Sequence, residues 1–133
     1  MSTILLDTHI LVWWRLDSKL LSRSQARKLQ DLENRQEPVA ISAITLWEIA
    51  TLSARGRIEI SEPPEVWLGE IEGHPLIEVL PLTARIAAES VRLGPDFHND
   101  PADQLIVATA RLHGLPLMTA DRRIHRWGKV PVL

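Results

Sequence analysis

The chain alternates short apolar runs with longer segments in which apolar residues recur at helical spacing. The short runs, each with the length of a buried strand, are TILLD (3–7), PVAIS (38–42), LIEVLPL (76–82) and LPLMTAD (115–121). The helical segments are THILVWWRL, a stretch capped by Ser22 or Ser24 that runs to about Asn34, AITLWEIATLSARG, PEVWLGEIEG, TARIAAESVRLG, DPADQLIVATARLHG and a brief stretch after residue 121. VPVL (130–133) is predicted as an edge strand. This alternation predicts an α/β fold with a parallel sheet covered by helices on both faces.

The segment DPADQLIVATARLHG (100–114) carries the start and end signals of a helix that is apolar on almost every side. Asp100 suits the N-cap, Pro101 the first helical position and Gly114 the end. Asp103 falls in the first turn, where the helix dipole favours an anion. A capped helix start is the commoner explanation of both aspartates, and a bound cation is the alternative. Because such a helix is central and buried, an unpaired carboxylate at its start is costly.

The composition, 45% hydrophobic and 24% charged, predicts one globular domain spanning residues 1–133. The chain has no cysteine, which excludes disulfides and thiolate metal sites and fits a cytoplasmic protein. The apolar run ILLDTHILVWW is too short to span a bilayer, so we expect no membrane partner. A net charge of −2 provides no global attraction to nucleic acid. DRRIHRWGK (121–129) is a local basic patch, most simply a solvated surface.

Acidic residues stand at informative positions. Asp7 and Asp121 directly follow predicted strands, and open parallel sheets bind ligands beyond the carboxyl ends of their strands. Each can also be a helix cap. Glu48 shares a narrow polar arc with Thr45 on an otherwise apolar helix, and its alternative interpretation is a surface glutamate beside the buried face.

A cation is the natural partner for these acids. No lysine or arginine lies within four residues of Asp7 or Asp103, so a sequence neighbour cannot neutralise them. We therefore expect Mg²⁺, with Mn²⁺ as a substitute, because both ions prefer oxygen ligands. A divalent cation lowers the pKa of bound water and offsets charge on phosphate oxygens, which predicts phosphoryl transfer.

Four motifs, in order, resemble the PIN domain and specifically the VapC-type toxins of bacterial type II toxin-antitoxin pairs. They are ILLDTHILVWW, ISAITLWEIATLSARGRI, HNDPADQLIVATARLHG and LMTADRRI, and the resemblance extends over essentially the whole chain. It implies a three-layer α/β/α sandwich with a central parallel sheet. It also implies a metal-dependent endoribonuclease that leaves a 5′-phosphate and a 3′-hydroxyl, a homodimer, and a cognate VapB-type antitoxin whose tail occupies the acidic groove.

The four acidic residues of the family correspond to Asp7, Glu48, Asp103 and Asp121. Our hypothesis is that Asp7 and Asp103 bind the principal ion directly. Asp121 binds it directly or through water, and Glu48 orients or deprotonates the attacking water or helps to hold a second ion. Related sequences often carry arginine after the third acid. This chain has Gln104 there, which bears on substrate or antitoxin contacts.

Other polar and aromatic residues have alternative interpretations. Asp100 is assigned mainly to the helix cap, with a minor role at the edge of the site. Ser42 and Thr119 end predicted strands, where a hydroxyl serves either a carboxylate or the local backbone. We interpret His9 as a packed core histidine, and consider only Trp127 for stacking on RNA. The remaining tryptophans are predicted to pack in the core or in an interface: Trp13, Trp14, Trp47 and Trp67.

Three other classes are weighed against this interpretation. A receiver-like signalling domain also has an acidic pocket at strand ends, but it needs a lysine after a late strand, where LMTADRRI has arginines in a different context. A silent module that only holds an antitoxin has no need of costly converging acids. A haloacid-dehalogenase-type phosphatase needs a second aspartate two residues after Asp7, where His9 stands.

Overall fold

The computed structural model describes all 133 residues and contains four strands and seven α-helices. In chain order the elements are β1 (Leu5–Leu6), α1 (Thr8–Leu16), α2 (Arg23–Asn34), β2 (Val39–Ser42), α3 (Ala43–Ala54), α4 (Pro64–Glu72), β3 (Ile77–Leu80), α5 (Ala84–Ser90), α6 (Pro101–His113), β4 (Leu117–Met118) and α7 (Arg122–Trp127). A one-turn 3₁₀ helix, Ser18–Leu20, follows α1. No helix combines the length and the apolar character needed to cross a membrane.

The sheet is parallel throughout, in the order β3-β2-β1-β4. In β1, Leu5 lies opposite Ala40 of β2 on one side and opposite Leu117 of β4 on the other. The chain runs outward from β1 through β2 to β3 and then returns to the opposite side of β1 to form β4. Open α/β sheets bind ligands at such a reversal point, here between β1 and β4.

Helices cover both faces of the sheet. Successive strand residues point to opposite faces, so each strand contributes to two cores. One core has 15 buried residues and joins Leu6 and Ile41 to α1, α2 and α4. The other has 11 buried residues and joins Leu5 and Ala40 to α6 and α7. The result is the predicted three-layer α/β/α sandwich.

Helix ends follow the predicted signals most closely in α2 and α6. Ser22, rather than Ser24, caps α2: its Oγ accepts a hydrogen bond from Gln25 N at 3.1 Å, and its own N–H donates to Gln25 Oε1 at 3.1 Å. Asp100 Oδ1 accepts from Asp103 N at 3.2 Å at the start of α6. Gly114 ends that helix in the left-handed conformation, with φ of 64°.

Four elements differ most from their predicted lengths, and all four are shorter. TILLD and LPLMTAD contribute only two residues each to regular strands, because the first turns at once into α1 with Asp7 as its N-cap. VPVL forms a single parallel bridge between Leu117 and Val132 instead of a strand. α5 ends at Ser90, whose hydroxyl donates to Ala87 O at 2.7 Å and so competes with helical backbone bonding.

Candidate functional site

The reversal point between β1 and β4 collects acidic side chains from four parts of the chain. Asp7 links β1 to α1, Asp121 precedes α7, Asp103 lies in the first turn of α6, and Glu48 lies in α3. With Asp100 they line one cavity of about 300 Å³, whose remaining lining residues are His9, Trp13, Ala120 and Arg123. All four acids singled out from the sequence thus lie in one cavity, which we call the acidic pocket.

Asp7 is buried, with 7% of its surface exposed, and both of its oxygens are held. Oδ1 accepts from Thr8 N at 2.8 Å, and Oδ2 accepts from Thr119 Oγ1 at 2.6 Å. Burial raises the pKa of Asp7 above 3.8, and these two hydrogen bonds oppose that rise. Thr119 therefore supports a carboxylate, whereas Ser42 instead caps α3 by accepting from Ile44 N at 3.2 Å.

Glu48 is held by a relay of hydroxyl groups. The Thr8 hydroxyl donates to Glu48 Oε1, and Thr45 Oγ1 lies 3.0 Å from Thr8 Oγ1. Because Thr8 gives its only hydroxyl proton to Glu48, Thr45 is the donor to Thr8. Burial, with added repulsion from neighbouring acids, raises the pKa of Glu48 from 4.5 to about 7. The narrow polar arc of α3 thus faces the acidic pocket.

Asp103 belongs to two groups of potential metal ligands, each with its ligand atoms within 4.8 Å of one another. One group contains Glu48, Asp100 and Asp103, and the other contains His98, Asp103 and Asp121. His98 Nε2 lies 2.7 Å from Asp103 Oδ2. Burial raises the pKa of Asp103 from 3.8 to about 6; the hydrogen bond from His98 opposes the rise, and nearby carboxylates add to it.

Arg123 reaches into the pocket from α7 although its side chain is 54% exposed. Its Nη2 lies 2.9 Å from Asp121 Oδ2 and 3.6 Å from Asp103 Oδ2. Hydrogen bonding to Arg123 holds the pKa of Asp121 below 3.8. The absence of a cation near Asp103 in the sequence was therefore a misleading signal, because a distant arginine comes close in the fold.

Sequence reasoning missed His98 and Arg123 as parts of the site. His98 stands five positions before Asp103 on a connecting segment, so no helical or strand periodicity links the two. Arg123 follows Asp121 by two positions at the start of α7, and it was seen only as part of a basic patch. The signal that could have found them is their short distance in sequence from a site acid: Arg123 from Asp121 in LMTADRRI, and His98 from Asp103 in HNDPAD.

The prediction for His9 needs correction, and the structure also locates the tryptophans. His9 is exposed at the acidic pocket and is not a core residue, because it faces outward from α1. Trp127 packs edge-on against Phe97 at 4.9 Å between ring centroids, in the second core, and does not line the acidic pocket. Trp47 is 60% exposed on α3, so of its two predicted locations, the core and an interface, the structure excludes the core. Trp67 is buried as expected.

Comparison with known proteins agrees with this arrangement. The PIN domain family matches residues 4–130. Ribonuclease VapC22 of Mycobacterium tuberculosis (strain ATCC 25618 / H37Rv) is 38% identical over 124 residues, which cover 93% of this chain and 91% of that protein. The chain therefore belongs to the PIN domain family, which confirms the resemblance drawn from the four motifs.

Solved structures share the fold over nearly the full length. A toxin-antitoxin complex from Klebsiella pneumoniae is similar with a TM-score of 0.61 and 27% identity, covering 98% of this chain and 95% of that chain. VapBC2 from Rickettsia felis, bound to a DNA fragment from its promoter, has a TM-score of 0.71 and 18% identity, covering 98% and 96%. At 18% identity the second likeness concerns the fold alone.

The donor set of the acidic pocket fits a divalent cation. Carboxylate oxygens are hard ligands, and the two ligand groups bring them within 4.8 Å of one another. The raised pKa values of Glu48 and Asp103 reflect burial and mutual repulsion, which a bound cation relieves. Asp7 lines the pocket but belongs to neither group.

Proposed function

We propose that this PIN-domain protein is the toxin of a type II toxin-antitoxin pair and a divalent-metal-dependent endoribonuclease of the cytoplasm, acting as one domain of residues 1–133. The proposed site consists of Asp7, Glu48, Asp103 and Asp121, with Mg²⁺ as the cofactor and Mn²⁺ as a substitute. The observation that carries the proposal is the two ligand groups that share Asp103 at the reversal point of a PIN-family sheet.

The chain provides carboxylates that are positioned to bind a metal ion. Asp103 and Asp121 would hold the principal ion with Asp7 close by, and Asp100 would add a carboxylate on the side of Glu48. His98 contributes a nitrogen, which Mn²⁺ accepts more readily than Mg²⁺ does, so Mn²⁺ would be an effective substitute at this carboxylate site. When bound, such an ion lowers the pKa of water and stabilises charge on the phosphate oxygens.

Glu48 is placed to accept the proton of the attacking water. Burial raises the pKa of Glu48 to about 7 in the metal-free pocket, which is the range suited to a general base near neutral pH. The Thr45 to Thr8 relay fixes the direction of Oε1. Asp7 is fixed by Thr8 N and Thr119, so the pocket is largely organised before substrate arrives.

Cleavage of total cellular RNA by the purified, antitoxin-free protein tests this proposal. We expect discrete fragments with 5′-phosphate ends in Mg²⁺ or Mn²⁺, none in EDTA, and nearly complete loss of cleavage in Asp7→Asn. Asp96→Asn is the matched control, because Asp96 is exposed on a connecting segment and has no hydrogen bond or salt bridge. It should cleave like the unmodified chain.

Two results would contradict the proposal. One is metal-independent cleavage, and the other is full activity of a folded Asp7→Asn protein. If the protein binds Mn²⁺ but leaves RNA intact, the silent binding module becomes the better explanation.

The proposed partners are a second copy of the chain and a VapB-type antitoxin. Support comes from the similar Klebsiella pneumoniae structure, which is a toxin-antitoxin complex. Light scattering on the free protein is expected to give the mass of a dimer. Addition of the cognate antitoxin should abolish cleavage at a stoichiometric amount, whereas cleavage that persists in antitoxin excess would refute this partnership.

A further inference from the structure

A second cavity borders the acidic pocket on the side of α7. Its volume is about 760 Å³, compared with about 300 Å³ for the acidic pocket. Trp13 and Ala120 line both cavities, so the two are adjacent. We call this cavity the basic groove, and its other lining residues are Leu20, Leu21, Ser22, Ser24, Gln25, Thr119, Arg122, His125, Arg126 and Leu133.

The side chains of the basic groove suit a polyanion. Arg122 and Arg126 stand four positions apart on α7, so they share one helix face. Both arginines are exposed, and neither side chain forms an ion pair or a hydrogen bond. Ser22 and Ser24 lie across the groove at the N-terminus of α2, where the helix dipole is positive. No aspartate or glutamate lines the groove.

The two other large cavities that border the acidic pocket have a different character. One, of about 540 Å³, contains Asp17 and Glu59 beside Arg57. The other, of about 350 Å³, contains Glu48 and Asp100 beside Arg55. Both would repel a phosphate chain more than the basic groove does, so charge complementarity selects the groove that contains Arg122 and Arg126.

We propose that the basic groove binds the single-stranded RNA segment that flanks the phosphodiester being cut. This inference rests on the proposed ribonuclease function. An RNA strand that places one phosphate among the five acidic side chains must lead its next phosphates out of the acidic pocket. Arg122 and Arg126 provide the counter-charge for those phosphates. The half-buried Trp13 ring at the junction offers an aromatic face on which a base stacks.

The test measures RNA binding and cleavage in the full chain. The probe is a fluorescein-labelled, mixed-sequence single-stranded RNA of about ten nucleotides. Binding is followed by anisotropy in Mg²⁺ in an Asp7→Asn background, and cleavage is measured in the unmodified background. The variant is Arg122→Gln/Arg126→Gln. The matched control is Arg85→Gln/Arg92→Gln, which removes the same charge from exposed arginines outside both cavities.

We expect the groove variant to bind RNA about tenfold more weakly at about 0.1 M salt, with a salt dependence shallower by about 1.4 in log–log slope. KM for cleavage should rise while kcat changes little, because the lost contacts do not touch the reacting phosphate. The control should match its parent in RNA affinity, salt dependence, KM and kcat, and both variants should unfold at the temperature of their parent.

Other outcomes separate the two proposals. Cleavage by the unmodified chain together with unchanged RNA affinity of the groove variant would overturn the groove assignment alone and leave the groove to a protein partner. An equal loss of RNA affinity in the groove variant and in the control variant would also overturn the groove assignment, because the loss would then follow from net charge alone. If the unmodified chain neither binds nor cleaves RNA in Mg²⁺ or Mn²⁺, the ribonuclease proposal itself fails.

Discussion

At the scale of single residues, Arg123 is the feature with the sharpest consequence for metal binding. Its guanidinium lies within 4 Å of carboxylate oxygens from both Asp121 and Asp103, two members of one ligand group. A cation bound by that group would share those oxygens with a positive charge already present. Arg123 and the ion are therefore expected to compete.

Replacement of Arg123 by glutamine is expected to tighten Mn²⁺ binding by about threefold to fivefold, the size of effect typical of a solvent-exposed ion pair. Isothermal titration with Mn²⁺ measures this directly, without RNA. Arg122→Gln is the control, since Arg122 precedes it on α7 and has no acidic partner. Equal or weaker binding in the Arg123 variant would show that this arginine does not compete with the ion.

Thr119 connects two acids, because its hydroxyl donates to Asp7 Oδ2 and accepts from Asp121 N. Thr119→Val leaves the buried Asp7 carboxylate with one donor fewer, which should cost about 1–3 kcal/mol in the free energy of unfolding. The lost hydrogen bond favoured the ionised form, so the pKa of Asp7 should rise further and the loss should be larger at pH 8 than at pH 5.

Urea unfolding at the two pH values checks the Thr119 prediction. Thr109→Val is the control, because Thr109 is also buried and its hydroxyl donates to Leu105 O at 2.7 Å, away from any carboxylate. Its effect should be independent of pH. A pH-independent loss for Thr119→Val would argue against the link to Asp7.

At the scale of elements, α6 joins stability to the site at its first turn. Asp100 caps the helix through Asp103 N, and its carboxylate also belongs to the ligand group with Glu48. Asp100→Ala removes both roles, whereas Asp100→Asn keeps an oxygen for the cap and removes the charge.

The two Asp100 variants are expected to differ in stability but not in their effect on Glu48. The alanine variant should lose about 1 kcal/mol of unfolding free energy, and the asparagine variant almost none. Both should lower the pKa of Glu48 in the metal-free protein, because Asp100 raises that pKa through charge repulsion. Chemical unfolding and an NMR titration of the Glu48 carboxyl group in EDTA measure these effects. Equal losses of stability would contradict the capping role.

The same elements show which features can be predicted from local sequence signals and which depend on distant contacts. α6 was placed almost to the residue because Asp100, Pro101 and Gly114 are local signals. Asp7 and Asp121 were found because each ends an apolar run predicted as a strand; in the structure Asp7 directly follows β1, and Asp121 lies three positions after the end of β4. The short extent of β1 and β4 was missed because strand length depends on pairing partners that lie far away in sequence. His98 and Arg123 were missed because only the packing of a connecting segment and α7 brings them to Asp103.

At the scale of the whole molecule, the acidic pocket makes folding depend on pH. The pKa of Glu48 rises from 4.5 to about 7 on folding and that of Asp103 from 3.8 to about 6. A raised carboxyl pKa means that the folded state prefers the protonated form. The contribution of these two groups to the free energy of unfolding is therefore fully present below about pH 4 and is lost as the pH rises towards 7.

For the metal-free protein we expect the melting temperature to fall between pH 5 and pH 8. Added Mn²⁺ should raise it more at pH 8 than at pH 5, because the ion binds ionised carboxylates. Thermal unfolding in EDTA and in Mn²⁺ measures both trends. Glu48→Gln should flatten the fall, since it removes a carboxyl group whose pKa is raised on folding to about 7. A melting temperature that rises with pH in EDTA would refute this account.

The pairing of β1 with β4 also governs when the molecule becomes complete during synthesis. Asp7 and its hydrogen-bond donor Thr119 are 112 positions apart, and the edge between β1 and β4 cannot close until both strands exist. Contacts of such long sequence separation form late in folding. A ribosome that has translated the chain as far as α6 therefore carries a polypeptide with three of the four acids and no closed pocket. The assembled site is therefore present in the cell only after almost the whole chain has emerged from the ribosome.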